Sequence, residues 1–221
     1  MFVLVIGNSF WFTLATKVLR HYFNNKRIFI IDRNVNINLK KILKKNKIIY
    51  LFNFYSSNII QENLLKKIKY PINFHGGNTR YPGRGGYCHA IYNSEKKYGS
   101  VAHLMKKRVD TGKIIKELNF KISPNETVES LKFRTFLISF YLFYDIVLQI
   151  YNKNLHFEKK KWKRKPYKLS DLNKIKLVKK NFSKKKLNKI KRSTTYYPYG
   201  PFFLIGNKIK KMKIKFKKKL I

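Results

Sequence analysis

Cysteine is nearly absent from this sequence, since Cys88 stands alone in 221 residues. An intrachain disulfide is therefore impossible, and we expect a reducing, cytoplasmic environment. The chain also lacks C-x-x-C and H-E-x-x-H patterns and any catalytic pair of carboxylates, so we expect no bound metal. Gly7-Asn8-Ser9 does not form the G-x-G-x-x-G pattern, which argues against a dinucleotide-dependent dehydrogenase.

Acidic residues are scarce. The chain has 10 Asp and Glu against 51 Lys and Arg, a formal net charge of +41. Such an excess suits nucleic acid, an acidic membrane surface or anionic substrates. Lysine supplies most of this charge, however, whereas sites built for bidentate phosphate or base contacts favour arginine. We favour codon-driven drift of surface positions and keep selected binding of a polyanion as the alternative.

Long hydrophobic runs are also missing. The apolar stretch Phe136–Ile150 is shorter than the roughly 20 residues that a membrane span requires, and Asp145 interrupts it. It predicts a buried helix and no membrane span. Met1–Gly7 has no basic region before its apolar residues, so it predicts a first strand and not a signal peptide. A hydrophobic fraction of 44% excludes a disordered chain.

Short β-branched runs alternate with helix-length segments in the first half, a pattern typical of an α/β fold with a mostly parallel sheet and crossover helices. The predicted strands are Phe2–Ile6, Arg27–Ile31, Ile48–Phe52, Pro71–His75, Ser100–Met105 and Ile114–Ile122. The predicted helices are Ser9–His21, Ile37–Lys44, Asn58–Ile68 with Ser57 or Asn58 as N-cap, and a long helix from a Ser123 or Asn125 cap to about Tyr151.

The composition becomes lysine-rich from Lys153 onward, which divides the chain into a predicted catalytic domain, residues 1–152, and a C-terminal module, residues 153–221. Ser170-Asp171 and Ser183 are typical N-caps and predict two short helices in the module. Pro198–Gly206 and Lys208–Phe216 predict a closing hairpin.

Asn73 and His75 end the fourth predicted strand, and alternate strand residues share a face. An amide that donates to an oxyanion and an imidazole that moves a proton together suit acyl transfer. Asp110 follows another predicted strand, where its carboxylate is expected to stabilise the charged form of His75. The alternative is equally weighted: Asn73 caps a turn, His75 is a core residue and Asp110 is an ordinary turn residue. The strand alternation leaves open which way His103 faces.

These residues lie within motifs that resemble the formyltransferase family, clearly over about Ile72 to Ile115 and loosely before it. The motifs are Asn73-x-His75, Tyr81-Pro82-Gly83-Arg84-Gly85-Gly86, Gly99-Ser100-Val101-Ala102-His103-Leu104-Met105 and Val109-Asp110-Thr111-Gly112-Lys113-Ile114-Ile115. The resemblance implies a Rossmann-like fold with 10-formyltetrahydrofolate as co-substrate, its pterin held by backbone near Tyr81 and Val109. It implies that Asn73, His75 and Asp110 are catalytic. The run Gly76-Gly77-Asn78-Thr79-Arg80 departs from the Ser-Leu-Leu-Pro type of many members.

The tail is short for a methionyl-tRNA formyltransferase and resembles that of short sugar N-formyltransferases or of uncharacterised family members. The motifs that carry this resemblance are Trp162-Lys163-Arg164-Lys165-Pro166-Tyr167, Ile190-Lys191-Arg192-Ser193-Thr194-Thr195-Tyr196-Tyr197-Pro198 and Gly200-Pro201-Phe202-Phe203. The resemblance implies a nucleotide-linked amino sugar as acceptor, for polysaccharide synthesis, and a homodimer formed through the C-terminal module. Tyr196, Tyr197, Tyr199 and Phe202 are candidates for stacking on a nucleobase, with hairpin closure as the alternative, and Arg192 for a diphosphate. The alternatives for function are a methionyl-tRNA or small-metabolite formyltransferase and a non-catalytic, basic nucleic-acid-binding protein on this scaffold.

Overall fold

The computed structural model describes residues 2–6, 10–56, 58–196, 199–205 and 208–212. A six-stranded sheet has the order β2-β1-β3-β4-β5-β6. The strands are β1 (Phe2–Ile6), β2 (Ile28–Ile31), β3 (Tyr50–Phe54), β4 (Tyr70–His75), β5 (Lys97–Leu104) and β6 (Ile114–Lys121). The first four strands pair in parallel, while β4 with β5 and β5 with β6 are antiparallel. The expected α/β fold with a mostly parallel sheet is confirmed.

Five helices accompany this sheet: α1 (Phe10–Tyr22), α2 (Val35–Lys45), α3 (Glu62–Leu65), α4 (Gly86–Tyr92) and α5 (Val128–Tyr151). The prediction of a helix over Asn58–Ile68 was wrong, because only the four residues of α3 are helical. Asn36 explains the difference: its amide donates to Ile59 O at 3.0 Å and accepts from Gln61 N at 3.0 Å, which holds this segment outside the helix. Ser57 lies outside the described residues.

Helix α5 is the central helix of the core. Its N-cap is Thr127 and not Ser123 or Asn125, since the Thr127 hydroxyl accepts from Ser130 N at 3.1 Å and Ser130 completes a capping box. At 24 residues it is long and apolar enough to cross a bilayer by length and composition alone. One face is buried at helical spacing, however, and Ser139 donates to Ser100 of β5 at 2.7 Å. The helix packs on the sheet as a core helix.

Strand alternation assigns each face of the sheet a different role. Phe52, Phe54 and Phe74 point to the face covered by α1 and α5, where they contact Phe143 edge to face or tilted, an arrangement that aromatic rings prefer. The odd-numbered residues of β3 and β4 therefore point to the opposite face. That face carries Leu51 in a second core cluster and, nearer the strand ends, polar side chains.

The C-terminal part contains α6 (Leu169–Lys176), β7 (Leu177–Val178), α7 (Lys184–Thr194), β8 (Phe202–Ile205) and β9 (Lys208–Lys211). Ser183 caps α7 as predicted. Helix α6 begins at Leu169, and Asp171 accepts from Lys168 N at 2.8 Å from within its first turn. The hairpin consists of β8 and β9, with β7 parallel to β8 as an unpredicted third strand. Pro198, Gly206 and residues 213–216 of the predicted hairpin lie outside the described residues.

Residues 155–168, here called the crossing segment, run over the first part of the chain. Lys163 N donates to Thr79 O at 2.9 Å and Tyr167 N to Pro82 O at 2.9 Å. The crossing segment thus contacts the glycine-rich loop directly. The boundary near residue 152 as a division between two domains stays a prediction.

His89 of α4 is buried against this segment. It is 4% exposed and stacks on Tyr167 with ring centroids 3.7 Å apart. Its Nε2 has no hydrogen-bond partner among the described residues. Burial, reinforced by the Arg164 guanidinium, lowers the pKa of His89 to about 4.

His89 should make stability fall in mild acid. Because the unfolded histidine takes up a proton near pH 6.5 and the folded one only near pH 4, the unfolded state binds more protons in this window. Between pH 7.5 and 5 the wild type should lose on the order of 1 kcal/mol of unfolding free energy through this group, after allowance for solvent screening. Urea unfolding of His89→Gln should show a smaller loss, whereas exposed His21→Gln should follow the wild type. Equal losses in all three proteins would contradict the assignment.

Candidate active site

Polar side chains gather where β3 and β4 end. Asn53 and Asn73 are register partners on the two strands, and Asn53 Nδ2 donates to Asn73 Oδ1 at 2.8 Å. His103 of β5 lies opposite Asn73 on the other side, with its Nε2 3.1 Å from Asn73 Nδ2. His103 Nε2 can accept from Asn73 or, when protonated, donate to Asp110, but it cannot do both at once. Asn53 fixes the orientation of the Asn73 amide, and since an amide carries two N–H groups, at least one remains for a ligand.

The carboxylate of Asp110 joins two histidines. Its Oδ2 lies 3.2 Å from His75 Nδ1 and its Oδ1 lies 3.2 Å from His103 Nε2. Gly83 N also donates to Oδ2 at 2.8 Å. Asp110 is only 8% exposed, and burial by itself would raise its pKa. The two imidazoles and the Gly83 N–H outweigh burial and hold the pKa of Asp110 well below its usual range.

Asp110 adopts a left-handed backbone conformation, with φ of 47°. Asp and Asn tolerate this region better than most residues, although it still carries strain. Its three side-chain partners over-determine the position and compensate for the strain. A non-glycine residue held this way is typical of a functional site.

His75 has a hydrogen-bond acceptor at each ring nitrogen. Nε2 lies 2.9 Å from Tyr81 O and Nδ1 lies 3.2 Å from the Asp110 carboxylate. Both bonds form together only when both nitrogens carry protons. With both nitrogens protonated, His75 donates from Nδ1 to the Asp110 carboxylate and from Nε2 to the Tyr81 carbonyl. It can release the proton of Nε2 and still keep its hydrogen bond from Nδ1 to Asp110.

Trp162 of the crossing segment closes this cluster. Its ring lies edge-on to His103 at 5.1 Å and to His75 at 5.9 Å. Its Nε1 donates to Gly112 O at 2.8 Å. The C-terminal part thus contributes an apolar wall beside both imidazoles, which limits the access of water to them.

Two glycines of the sequence motifs are explained by close approach. A Cβ on Gly77 would lie 2.6 Å from His75 Nε2, and one on Gly112 would lie 1.6 Å from Leu104 O. The missing side chain of Gly77 leaves room at the His75 imidazole, and that of Gly112 lets the Asp110 loop return close to β5. Within the unusual Gly76-Gly77 run, Gly77 therefore keeps space beside His75.

Asn73, His75, His103 and Asp110 line a cleft of about 730 Å³, here called the cleft. Val109 also lines it and is 44% exposed, and its role in binding a ligand stays a prediction. The Tyr81 side chain is 2% exposed and donates from its hydroxyl to Glu95 at 2.9 Å. It packs in a core cluster, so Tyr81 faces the site only through its carbonyl. Among the described residues no three His, Cys, Asp or Glu side chains form a metal-binding group.

The structure therefore brings Asn73, His75 and Asp110 into one network and adds three residues that sequence reasoning missed. His103 lay within a quoted motif, but alternation left its direction open. Asn53 had no recognisable signal, because only the strand register connects it to the site. Trp162 belonged to a motif of the tail, but no sequence pattern showed that the crossing segment brings it to the two histidines.

Comparisons with known proteins show which proteins resemble this chain. Residues 32–137 match the family described as Formyl transferase. The segment from residue 32 to residue 137 is therefore similar to the formyltransferase family. The match includes every polar residue of the network, from Asn53 to Asp110, and excludes Trp162.

Individual formyltransferases resemble the chain over different lengths. It is 32% identical over 137 residues to the bifunctional polymyxin resistance protein ArnA of Wigglesworthia glossinidia brevipalpis, which is 60% of this chain and 20% of that protein. The chain thus spans about a fifth of this curated relative. A sugar N-formyltransferase from a Shewanella species has a TM-score of 0.77 at 15% identity, with 100% and 99% of the chains covered. An N-formyltransferase from Helicobacter canadensis has 0.68 at 20% identity, covering 86% and 79%. These two structures share the fold.

Asp110→Asn should reveal the charge of the network as a pH-dependent loss of stability. Asn keeps the left-handed backbone tolerable and can still accept from Gly83 N, so the change removes mainly the charge. A carboxyl with a depressed folded pKa stabilises fully above its unfolded pKa of about 4 and loses this effect as the pH falls toward the folded pKa. Urea unfolding should show a deficit on the order of 2 kcal/mol at pH 7 that narrows at pH 3.

Exposed Asp32→Asn is the matched control, because among the described residues its carboxylate makes one exposed ion pair, with Arg33. It should show almost no deficit at either pH. A deficit for Asp110→Asn that stays constant from pH 7 to pH 3 would contradict a charged, histidine-paired carboxylate.

Proposed function

We propose that this chain transfers a formyl group from 10-formyltetrahydrofolate to a primary amine of a nucleotide-linked amino sugar. The observation that carries the proposal is the network at the cleft, in which a fixed amide, Asn73, stands beside two imidazoles joined by the buried Asp110 carboxylate. An amide donor next to a proton carrier is the arrangement that acyl transfer to an amine requires.

In the proposed reaction the amine nitrogen attacks the formyl carbon and forms the new C–N bond. The remaining N–H of Asn73 donates to the carbonyl oxygen as it becomes an oxyanion. The bond from the formyl carbon to N10 of the folate then breaks, and N10 takes the proton that the amine gives up. His75 carries this proton, held in orientation and stabilised in its charged form by Asp110.

Support for the folate donor comes from the site and from relatives. Gly77 leaves room beside His75, and the backbone around exposed Val109 lines the same cleft. The Helicobacter canadensis protein is in complex with folinic acid and dTDP-3-aminofucose. A formyltransferase from Anoxybacillus kamchatkensis is in complex with tetrahydrofolate and a UDP-linked 4-formamido sugar, at 16% identity and a TM-score of 0.57. Their ligands support the same two substrate classes here.

Formyl transfer should depend on the three proposed catalytic residues. The protein is incubated with 10-formyltetrahydrofolate and a panel of nucleotide-linked 3-amino and 4-amino sugars, and the formamide product is measured by mass spectrometry. Asn73→Ala should lower kcat about 100-fold or more, since a lost oxyanion donor costs about 3 kcal/mol in the barrier. His75→Ala and Asp110→Asn should lower kcat by a similar order, while exposed His21→Ala should match the wild type.

Two other results would refute the proposed acceptor or the proposed activity. Product from methionyl-tRNA but from no amino sugar would refute the acceptor and retain the reaction. Steeply salt-dependent RNA binding without any folate binding in a spectral titration would refute the enzyme and favour the basic nucleic-acid-binding protein.

A further inference from the structure

A buried lysine of the C-terminal part is not used by the proposed chemistry. Lys176, at the end of α6, is 8% exposed and lines the cleft. Among the described residues no Asp or Glu oxygen lies within 4.0 Å of its Nζ. Burial lowers the pKa of Lys176 from its usual value. A buried cation without a carboxylate partner is costly, so its place at a cleft points to an anion that binds there.

The cleft lining as a whole is strongly positive. Its cations are Arg84, Lys106, Lys107, Lys132 and Lys176. Among the described residues that line it, Asp110 is the one carboxylate, and two histidines already engage it. Most of these cations are exposed at the rim, whereas Lys176 is buried. The rim attracts anions at long range, and Lys176 offers a fixed contact.

Two tyrosines stand beside this lysine. Its Nζ lies 5.7 Å from the ring centroid of Tyr196 and 5.3 Å from that of Tyr199. Both rings line the cleft, and Tyr199 is 54% exposed. A cation near an accessible aromatic face matches a nucleotide, in which one ribose separates an anionic diphosphate from a base that stacks. The carboxylates of a folate would contact the lysine but would have no ring to stack on the tyrosines.

Arg192, the expected diphosphate ligand, is already engaged elsewhere. Its guanidinium donates to Glu126 O at 3.2 Å and to Pro124 O at 2.5 Å, next to the N-terminus of α5. It does not line the cleft. Arg192 therefore ties α7 to the start of α5, and Lys176 takes its place as the candidate.

We infer that Lys176 binds the diphosphate of the nucleotide-linked acceptor, with Tyr199 stacking on its base. This inference rests on the proposed function for its choice of substrate. It assigns part of acceptor recognition to the C-terminal part, while the reacting amine lies at Asn73 and His75.

Titration of the full chain with UDP and with inorganic pyrophosphate, by calorimetry and competition, tests the inference without turnover. Lys176→Met keeps the length of the side chain and removes its charge, and it should weaken UDP binding about 10- to 100-fold and abolish competition by pyrophosphate. Tyr199→Ala should weaken UDP binding and leave pyrophosphate competition unchanged. Lys174→Met, two residues earlier and 80% exposed, is the matched control and should bind as the wild type does.

Two further readouts separate this role from its alternatives. Folinic acid should bind Lys176→Met and the wild type equally, and a loss confined to folinic acid would assign the lysine to the folate carboxylates and overturn the inference. Lys176→Met should unfold at an equal or higher urea concentration, because an unpaired buried charge is removed, whereas a structural role predicts a loss. Wild-type protein that binds no UDP would also overturn it. UDP binding that depends on Lys176, without any formyl transfer, would instead refute the proposed function alone.

Discussion

The buried carboxylate of Asp110 is the interaction on which the rest of the site depends. It connects the end of β4 through His75, the end of β5 through His103 and the glycine-rich loop through Gly83 N. Removing any one partner would leave charge uncompensated at a position that is 8% exposed. The left-handed backbone at Asp110 and the close approach of Gly112 to Leu104 O follow from bringing this loop back to the histidines.

Only part of this site was available from the sequence. Alternation within one strand placed Asn73 and His75 on a common face, because that relation depends on one segment alone. The positions of Asn53 and His103 depend on pairing between strands: Asn53 is in register with Asn73 in parallel, and His103 is opposite it in antiparallel. A change of one residue in either register would turn these side chains to the other face. Trp162 arrives from a crossing segment whose path no local pattern records.

How well the fold could be predicted also depended on whether an element is determined by its own residues or by residues elsewhere. The six strands of the main sheet were predicted within a few residues, since β-branched runs mark them directly. The helix over Asn58–Ile68 failed because Asn36, on another helix, supplies hydrogen bonds to the backbone of this segment. The long helix was predicted, but its cap was placed at Ser123 or Asn125. The structure shows the cap at Thr127, where Ser130 completes a capping box. Propensity located these elements, and specific side chains, Asn36 from another helix and Ser130 from the first turn of α5, decided where they begin.

The charge of the chain has a different meaning once its few acids are located. Three of them are paired inside the fold. Asp110 contacts two histidines, and Glu117 accepts from Thr79 N and pairs with Lys160. Glu126 pairs with Arg134 and accepts from Ser123 N. These carboxylates hold loops and helix ends together and have lowered pKa values because of their partners. The surface therefore has little negative charge left to balance its lysines. Drift toward lysine on the surface can add positive charge freely, but Lys176 is buried and bears the desolvation cost, so surface drift does not account for it. Its position at the cleft, and not the total of +41, is the part of the charge that indicates a ligand.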